Sequence, residues 1–467
     1  MQKVFQSCCP LDKRCYEQYG LSEEILIENA ARGMAEYIKV HFEVGSSVLI
    51  VAGSGNNGAD GMVLARQLNG LYDVRLFVMF GAHSPMAQVQ LARTQKSGVK
   101  VVTTISEADV IVDAIFGTGF NGVLDVEAKS VMQALNKLSG YKIACDIPSG
   151  IKANGECVRD TFVADVTLTM GAQKKSLYSD SAKRFVGEVE VIDLGVAREL
   201  YETPSQWSLL DFTDMRLPHK EQLDSHKGSY GHLAVLAGEK SGASMMSALA
   251  ALRFGVGLAT LIGTTQTPST PLPFALMYAT TLPQNTTAIA CGMGLGGAFS
   301  EDALLALCEN SLPLLIDADI FSMECISSIL KRRDIILTPH PKEFISLLKK
   351  TGVADITIEE LQRDRFHYVS LFAQEYPNAI LLLKGANVII ASDEAYFINP
   401  HGSPKLAKGG SGDILSGLIA SLLAQGYTPL EATISGSLAH TKLAQNYTGA
   451  DFSLMPEDLI EGIQELS

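Results

Sequence analysis

Short apolar runs closed by glycine-rich turns alternate along this chain with longer stretches whose apolar residues recur at helical spacing. Residues 48–52 (Val-Leu-Ile-Val-Ala), 75–80 and 110–116 read as strands, while Ala128, Val131, Met132, Leu135 and Leu138 share one helix face. The alternation returns in the second half, with strands expected over 232–237, 313–316, 335–337 and 379–383. Uninterrupted apolar strands are covered on both faces, so the pattern predicts an α/β protein with helices packed on largely parallel sheets. It is interrupted over 197–224, around Pro204 and Pro218. Two domains are therefore expected, 1–205 and 225–467, joined by a linker over 206–224 in which the only tryptophan, Trp207, packs between the halves.

Loops at the carboxyl ends of such strands are where ligands collect. Residues 407–413 read Ala-Lys-Gly-Gly-Ser-Gly-Asp and run into the helical pattern of Ile414, Leu415, Leu418 and Ile419. Gly409, Gly410, Ser411 and Gly412 let backbone N–H groups converge on an anion, and Asp413 is placed to orient or deprotonate an attacking hydroxyl. Taken alone the segment reads equally well as a turn whose Asp caps a helix. Three more strand ends in the same half carry chemistry: Lys384-Gly385-Ala386-Asn387, leading into Val388; His340 within 338–344; and the glycine-rich run 291–297 containing Gly294. Each has a bland reading, His340 as a hydrogen-bonded turn residue, Lys384 as a solvated charge and 292–297 as a flexible loop, but their combination favours phosphoryl transfer.

In the first half, the strand at 48–52 leads into Gly53-Ser54-Gly55-Asn56-Asn57-Gly58-Ala59-Asp60-Gly61 and then a helical pattern at Met62, Ala65 and Leu68. Two adjacent amides and an acid add donors and acceptors that a plain glycine turn does not need, which favours a dinucleotide site. Asp113 precedes the loop Gly117-Thr118-Gly119-Phe120-Asn121-Gly122-Val123, and Asp146-Ile147-Pro148-Ser149 ends another strand. Both acids could simply cap turns. With the amide loop, however, Asn57, Asp113 and Ser149 offer hard oxygen donors suited to an alkali or alkaline-earth cation and not to zinc.

These segments carry a resemblance. Residues from about 227 onward, including Lys227-Gly228-Ser229-Tyr230-Gly231-His232 and the loops just quoted, resemble the ADP-dependent NAD(P)H-hydrate dehydratases of the ribokinase-like superfamily. Roughly residues 10–200 resemble the NAD(P)H-hydrate epimerases, so the whole chain is similar to the bifunctional NAD(P)H-hydrate repair enzymes. The resemblance implies two three-layer α/β/α domains, an N-terminal Rossmann-like epimerase and a C-terminal ribokinase-like dehydratase. It implies that Asn56, Asn57, Gly58, Ala59, Asp60, 117–123 and Asp146 contact the hydrate in the first domain, with Asn57, Asp113 and Ser149 as potassium ligands and Asp146 handling protons. In the second it implies hydrate contacts from Gly294, His340 and Asp413, and nucleotide contacts from 384–388 and 409–412. ADP would phosphorylate the C6 hydroxyl of hydrated NADH or NADPH (NADHX, NADPHX) with magnesium bridging the nucleotide oxygens, and loss of phosphate would restore the ring. The chain departs from the family pattern at Ala59, Met293, Lys342 and Lys408, where glycine, proline, glycine and a small residue are expected.

Charge and composition narrow the partners. A formal net charge of −14 opposes a nucleic-acid or anionic-membrane partner. The eight cysteines form no zinc-type spacing, no apolar stretch is long enough to span a bilayer, and the N-terminus lacks a signal-peptide core; a cytoplasmic protein is expected, with a homo-oligomer as its assembly. Two alternatives stay open on the residues alone: a vitamin-type kinase fused to a nucleotide-binding regulator, and a first half that senses dinucleotide without turning it over.

Overall fold

The amino-terminal strands are β1 (Gln2–Phe5), β2 (Ser47–Ala52), β3 (Asp73–Val78), β4 (Lys100–Val102), β5 (Val110–Ala114), β6 (Tyr141–Cys145), β7 (Val166–Met170), β8 (Gln173–Lys174) and β9 (Glu188–Ile192). A computed structural model describes residues 1–268, 270–393 and 395–467. They divide into one unit of 2–205 with 362–364 and another of 206–361 and 365–467 with Met1. In the first unit a 7-stranded sheet runs in the order β4-β3-β2-β5-β6-β7-β9, every pairing parallel, and β1 pairs with β8. Side-chain alternation splits β2 between two cores. Val48, Ile50 and Ala52 pack with helices Glu23–His41 and Asn56–Leu68, whereas Leu49 and Val51 pack with helix Val126–Lys137. Helices thus cover both faces, and the strand order reverses between β2 and β5, opening a crevice at their carboxyl ends.

The second unit adds β10 (Trp207–Leu209), β11 (His232–Leu236), β12 (Leu258–Ile262), β13 (Met277–Ala279), β14 (Ala288–Cys291), β15 (Leu314–Ile316), β16 (Ile335–Leu337), β17 (Ala379–Leu383), β18 (Val388–Ser392) and β19 (Ala395–Asn399). They run β13-β12-β11-β14-β15-β16-β17-β18-β19-β10, parallel except for the antiparallel pairings of β18 with β17 and β19. Leu233, Val235, Leu315 and Leu382 bury one face beneath helices Ser241–Arg253, Ser411–Ala424 and Pro429–Asn446. Leu381 and Leu383 point the other way, toward helix Arg365–Glu375. A Cβ at Gly417 would collide with the Ser247 carbonyl oxygen, so glycine there sets how closely helices Ser241–Arg253 and Ser411–Ala424 approach.

The segment 206–224, expected as a linker, is partly built into this unit: β10 pairs in parallel with β19. Trp207 stacks on Tyr396 at 4.5 Å between ring centroids and meets Phe366 edge-on at 5.2 Å, both within the same unit, where the sequence pattern had suggested packing between the halves. Among the described residues all eight cysteines are free, and no helix is long and apolar enough to cross a membrane.

Candidate active sites

In the second unit the glycine segment closes on the start of helix Ser411–Ala424, with Gly410 left-handed at φ 92° as its N-cap. Ser411 N donates to the Lys408 carbonyl, while the N–H groups of Gly412 and Asp413 have no partner among the described residues, a favourable place for phosphate. Lys384, at the end of β17, lies beside this opening; a Cβ on Gly412 would sit 3.4 Å from its Nζ. The ammonium is held by Asp317, whose Oδ1 accepts from Nζ at 2.7 Å. Asp413 makes no side-chain hydrogen bond or ion pair among the described residues. Burial pushes its carboxyl up to about 6, reinforced by Asp317 and opposed by Lys384. Ser411 Oγ lies 3.0 Å from His440 Nε2, and burial followed by the Lys384 charge holds the His440 pKa down to about 4, so its ring is neutral near pH 7.

The other expected residues of this half divide. His340 caps helix Pro341–Lys350: its Nδ1 accepts from the backbone N–H groups of Lys342 and Glu343 at 3.1 and 3.2 Å. The bland reading of that ring as a hydrogen-bonded turn residue therefore has direct support. Gly294, at φ 64°, leaves no room for a side chain against Lys240. Gly385 and Ala386 are exposed, while Asn387 and Val388 are buried where the β18 strand begins. Arg365, buried and unforeseen from the sequence, donates to the Lys384 carbonyl at 2.9 Å and steadies that turn. Met293 belongs to the core and Lys408 donates to the Phe452 carbonyl at 3.1 Å, so two departures from the family pattern have structural partners.

In the first unit Asn56, Asn57, Asp60, 117–122 and Asp146 line one cavity of about 620 Å³. Gly58 and Ala59 are packed behind it, and Val123, 81% exposed, is not part of its lining. A Cβ on Gly58 would strike the Gly53 carbonyl, which explains glycine at this bend. The Asn57 amide is buried, and neither Oδ1 nor Nδ2 has a hydrogen-bond partner among the described residues. Nearby, Asp113 accepts from Ser149 N at 2.8 Å, Ser149 Oγ at 2.7 Å and Ile115 N at 3.1 Å; burial raises it to about 6 against the pull of these bonds. Phe116 N donates to Ser149 Oγ at 2.9 Å, and Gly117 abuts Asn57. An orphaned amide beside carboxylate, hydroxyl and carbonyl oxygens fits a hard monovalent cation.

The cavity also contains an ion pair that no local motif announces. Lys174 Nζ, on a side chain 2% exposed, lies 2.7 Å from Asp146 Oδ1 and donates to Thr169 Oγ1 at 2.9 Å and the Met170 carbonyl at 2.8 Å. Burial is the largest influence and opposes its charge, but Asp146, Cys8 and Asp12 together outweigh it and raise the pKa. Asp146 itself sits at φ 68°, left-handed for a residue with a Cβ. Asp60 has no hydrogen-bond partner among the described residues, and burial, then the Asp146 and Asp12 carboxylates, hold it far above the usual carboxylate range. Asp12, from helix Cys9–Tyr19, completes the acidic wall and accepts from the Tyr201 hydroxyl at 2.7 Å.

Comparison with known proteins supplies the context for this geometry. The family described as NAD(P)H-hydrate dehydratase matches residues 233–465, and the YjeF-related protein N-terminus matches 23–176. The bifunctional NAD(P)H-hydrate repair enzyme of Helicobacter pylori is 41% identical over 477 residues, covering 100% of both chains. Its counterpart from Coxiella burnetii is 32% identical, covering 97% of each. Among solved structures, the ADP/ATP-dependent NAD(P)H-hydrate dehydratase of Bacillus subtilis co-crystallised with ATP and Mg2+ matches with 27% identity and a TM-score of 0.45, over 53% of this chain and 92% of that one. With both halves matched in order and the relationship running the full length, the chain belongs to the bifunctional NAD(P)H-hydrate repair enzymes.

Proposed function

We propose that this protein repairs hydrated NADH and NADPH in two steps, R/S exchange at C6 in the first unit and ADP-dependent dehydration of the S hydrate in the second. The observation that carries the reading is the Asp413 carboxyl, half-buried and without a partner among the described residues, beside a helix N-terminus and a tethered lysine. Asp413 takes the C6 hydroxyl proton as that oxygen attacks the β-phosphorus of ADP, and AMP leaves. The N–H groups at the start of helix Ser411–Ala424, with Lys384 beside them, offset the charge on the transferring group. The C6–O bond then breaks with the ring nitrogen lone pair behind it, phosphate departs, and loss of a C5 proton regenerates the dihydropyridine. Mg2+ would neutralise charge on the nucleotide phosphates.

For exchange, Asp146 is held in the cavity by its ion pair with Lys174, while Asp60, raised far above the usual carboxylate range by burial, carries the proton that cleavage at C6 requires, whether water is lost or the ring opens. Asn57, Asp113 and Ser149 would hold potassium, which would tie the loop after β2 to those after β5 and β6. The test separates the epimers. Asp413→Asn should slow ADP-dependent NADH release from pure S hydrate by at least ~100-fold and leave R/S exchange intact, the scale of a lost general base. Asp60→Asn should do the reverse. Near-normal NADH release by Asp413→Asn would sink the assignment of the base.

A further inference from the structure

Two carboxyl groups in the second unit feel one ammonium, and only one of them contacts it. Asp317, just after β15 and 2% exposed, has three donors: Lys384 Nζ at 2.7 Å and Ala318 N at 2.9 Å on Oδ1, and Ser416 Oγ at 2.6 Å on Oδ2. Asp413 lies one helical turn before Ser416 and has none among the described residues. We propose that Asp317 is a positioning residue that tethers Lys384 through this donor set, so that the lysine faces the phosphate end of the site without pairing with the base. The inference rests on the reading of Asp413 as that base.

The physical argument concerns basicity. A lysine in direct contact with a carboxylate stabilises its anion and lowers its pKa by about 1–3 units, which would weaken Asp413 as a proton acceptor. With Lys384 anchored on Asp317, the Asp413 carboxyl keeps the elevation caused by burial and by the Asp317 charge. The other facing groups do not supply a competing cation: Glu343, from helix Pro341–Lys350, is an acid itself raised by burial, and His440, from helix Pro429–Asn446, is neutral. Ser416 secures Asp317 from the same helix that bears Asp413, so tether and base are fixed by one rigid element.

The test is the pH dependence of S-hydrate dehydration by the full chain, corrected for the reaction without enzyme, with denaturant unfolding of each variant as a control for folding of the second unit. Asp317→Asn removes one negative charge and frees Lys384 to move onto Asp413. Both effects lower the Asp413 pKa, so the acid limb of kcat/KM should move down by about one pH unit or more while kcat falls at least ~10-fold. Asp317→Glu should recover part of the limb position. Ser416→Ala, a milder change, should shift the limb in the same direction by less, and it decides the matter if Asp317→Asn fails to fold. A slower enzyme whose acid limb stays in place would make Asp317 a packing residue and overturn the proposal, as would a variant with unchanged rate and limb. Asp413→Asn run alongside separates the two ideas: full activity there removes the base assignment itself, whatever Asp317 does.

Discussion

The two units solve a similar electrostatic problem with opposite pairings. Each has a lysine 2.7 Å from an aspartate and a second aspartate whose carboxyl is raised and has no partner among the described residues. In the first unit the acid at the strand end, Asp146, is the paired one, and Asp60 stands apart. In the second, Lys384 is anchored on Asp317, and Asp413 at the helix start stands apart. Burial differs as well: the Lys174 side chain is 2% exposed and that of Lys384 is 20%. A sealed pair organises a cavity, whereas a partly open one leaves its cation within reach of a ligand.

The sharpest way to break the comparison is Lys174→Met. It leaves Asp146 buried without its cation, and the first unit should lose about 3–5 kcal/mol in denaturant unfolding, with R/S exchange lost alongside. The same change at Lys384 should cost less stability, because solvent reaches that pair. Equal losses would erase the distinction between sealed and open pairs. Next in size, Asn57→Ala should reduce exchange ~10–100-fold, the range for a disturbed metal site, yet change stability by less than about 1 kcal/mol, since the amide it removes has no hydrogen-bond partner to lose. Marked destabilisation would make Asn57 a structural residue.

The smallest effect is a trend with pH. Asp413 is raised to about 6 by burial and Asp317, so its base form, and dehydration with it, should fall tenfold per unit below about pH 6. Stability should move the other way. A folded-state pKa above the unfolded value means that the stabilising contribution of Asp413 is fully present below the ordinary carboxylate range and is lost as pH rises through about 6. Parallel rate and unfolding measurements from pH 4 to 7 should therefore diverge, and Asp413→Asn should remove this group's part of both trends.

What was legible in the sequence was whatever is local. The strand-loop-helix order, the glycine bends, Asp413, Asp146 and the set Asn57, Asp113 and Ser149 all announce themselves within a few residues of a strand end. Pairing across the fold does not. Asp317 and Lys384 are 67 positions apart, Ser411 and His440 are 29 apart, and Asp12 meets Tyr201 across 189. Lys174 follows β7 as one of two adjacent lysines, and nothing nearby marks it as the member that turns inward. The acid after β15 could have been noted, because Asp317 ends an apolar run just as Asp146 does. Motif matching also extended the first site to Val123, although the loop has left the cavity by then.

The left-handed backbone of Asp146 restricts which residues mutation and drift can try at that position. Most side chains at φ 68° meet their own peptide, whereas glycine, asparagine and aspartate tolerate it. Asparagine keeps the bend and loses the charge; glycine keeps the bend and loses the side chain; alanine strains the bend as well as removing the carboxylate. An alanine scan would thus overstate the chemistry of this residue by folding a backbone penalty into it. Lineages that abandoned exchange while keeping the domain would be expected to carry Asn or Gly at this site, a trace of conformation outlasting catalysis.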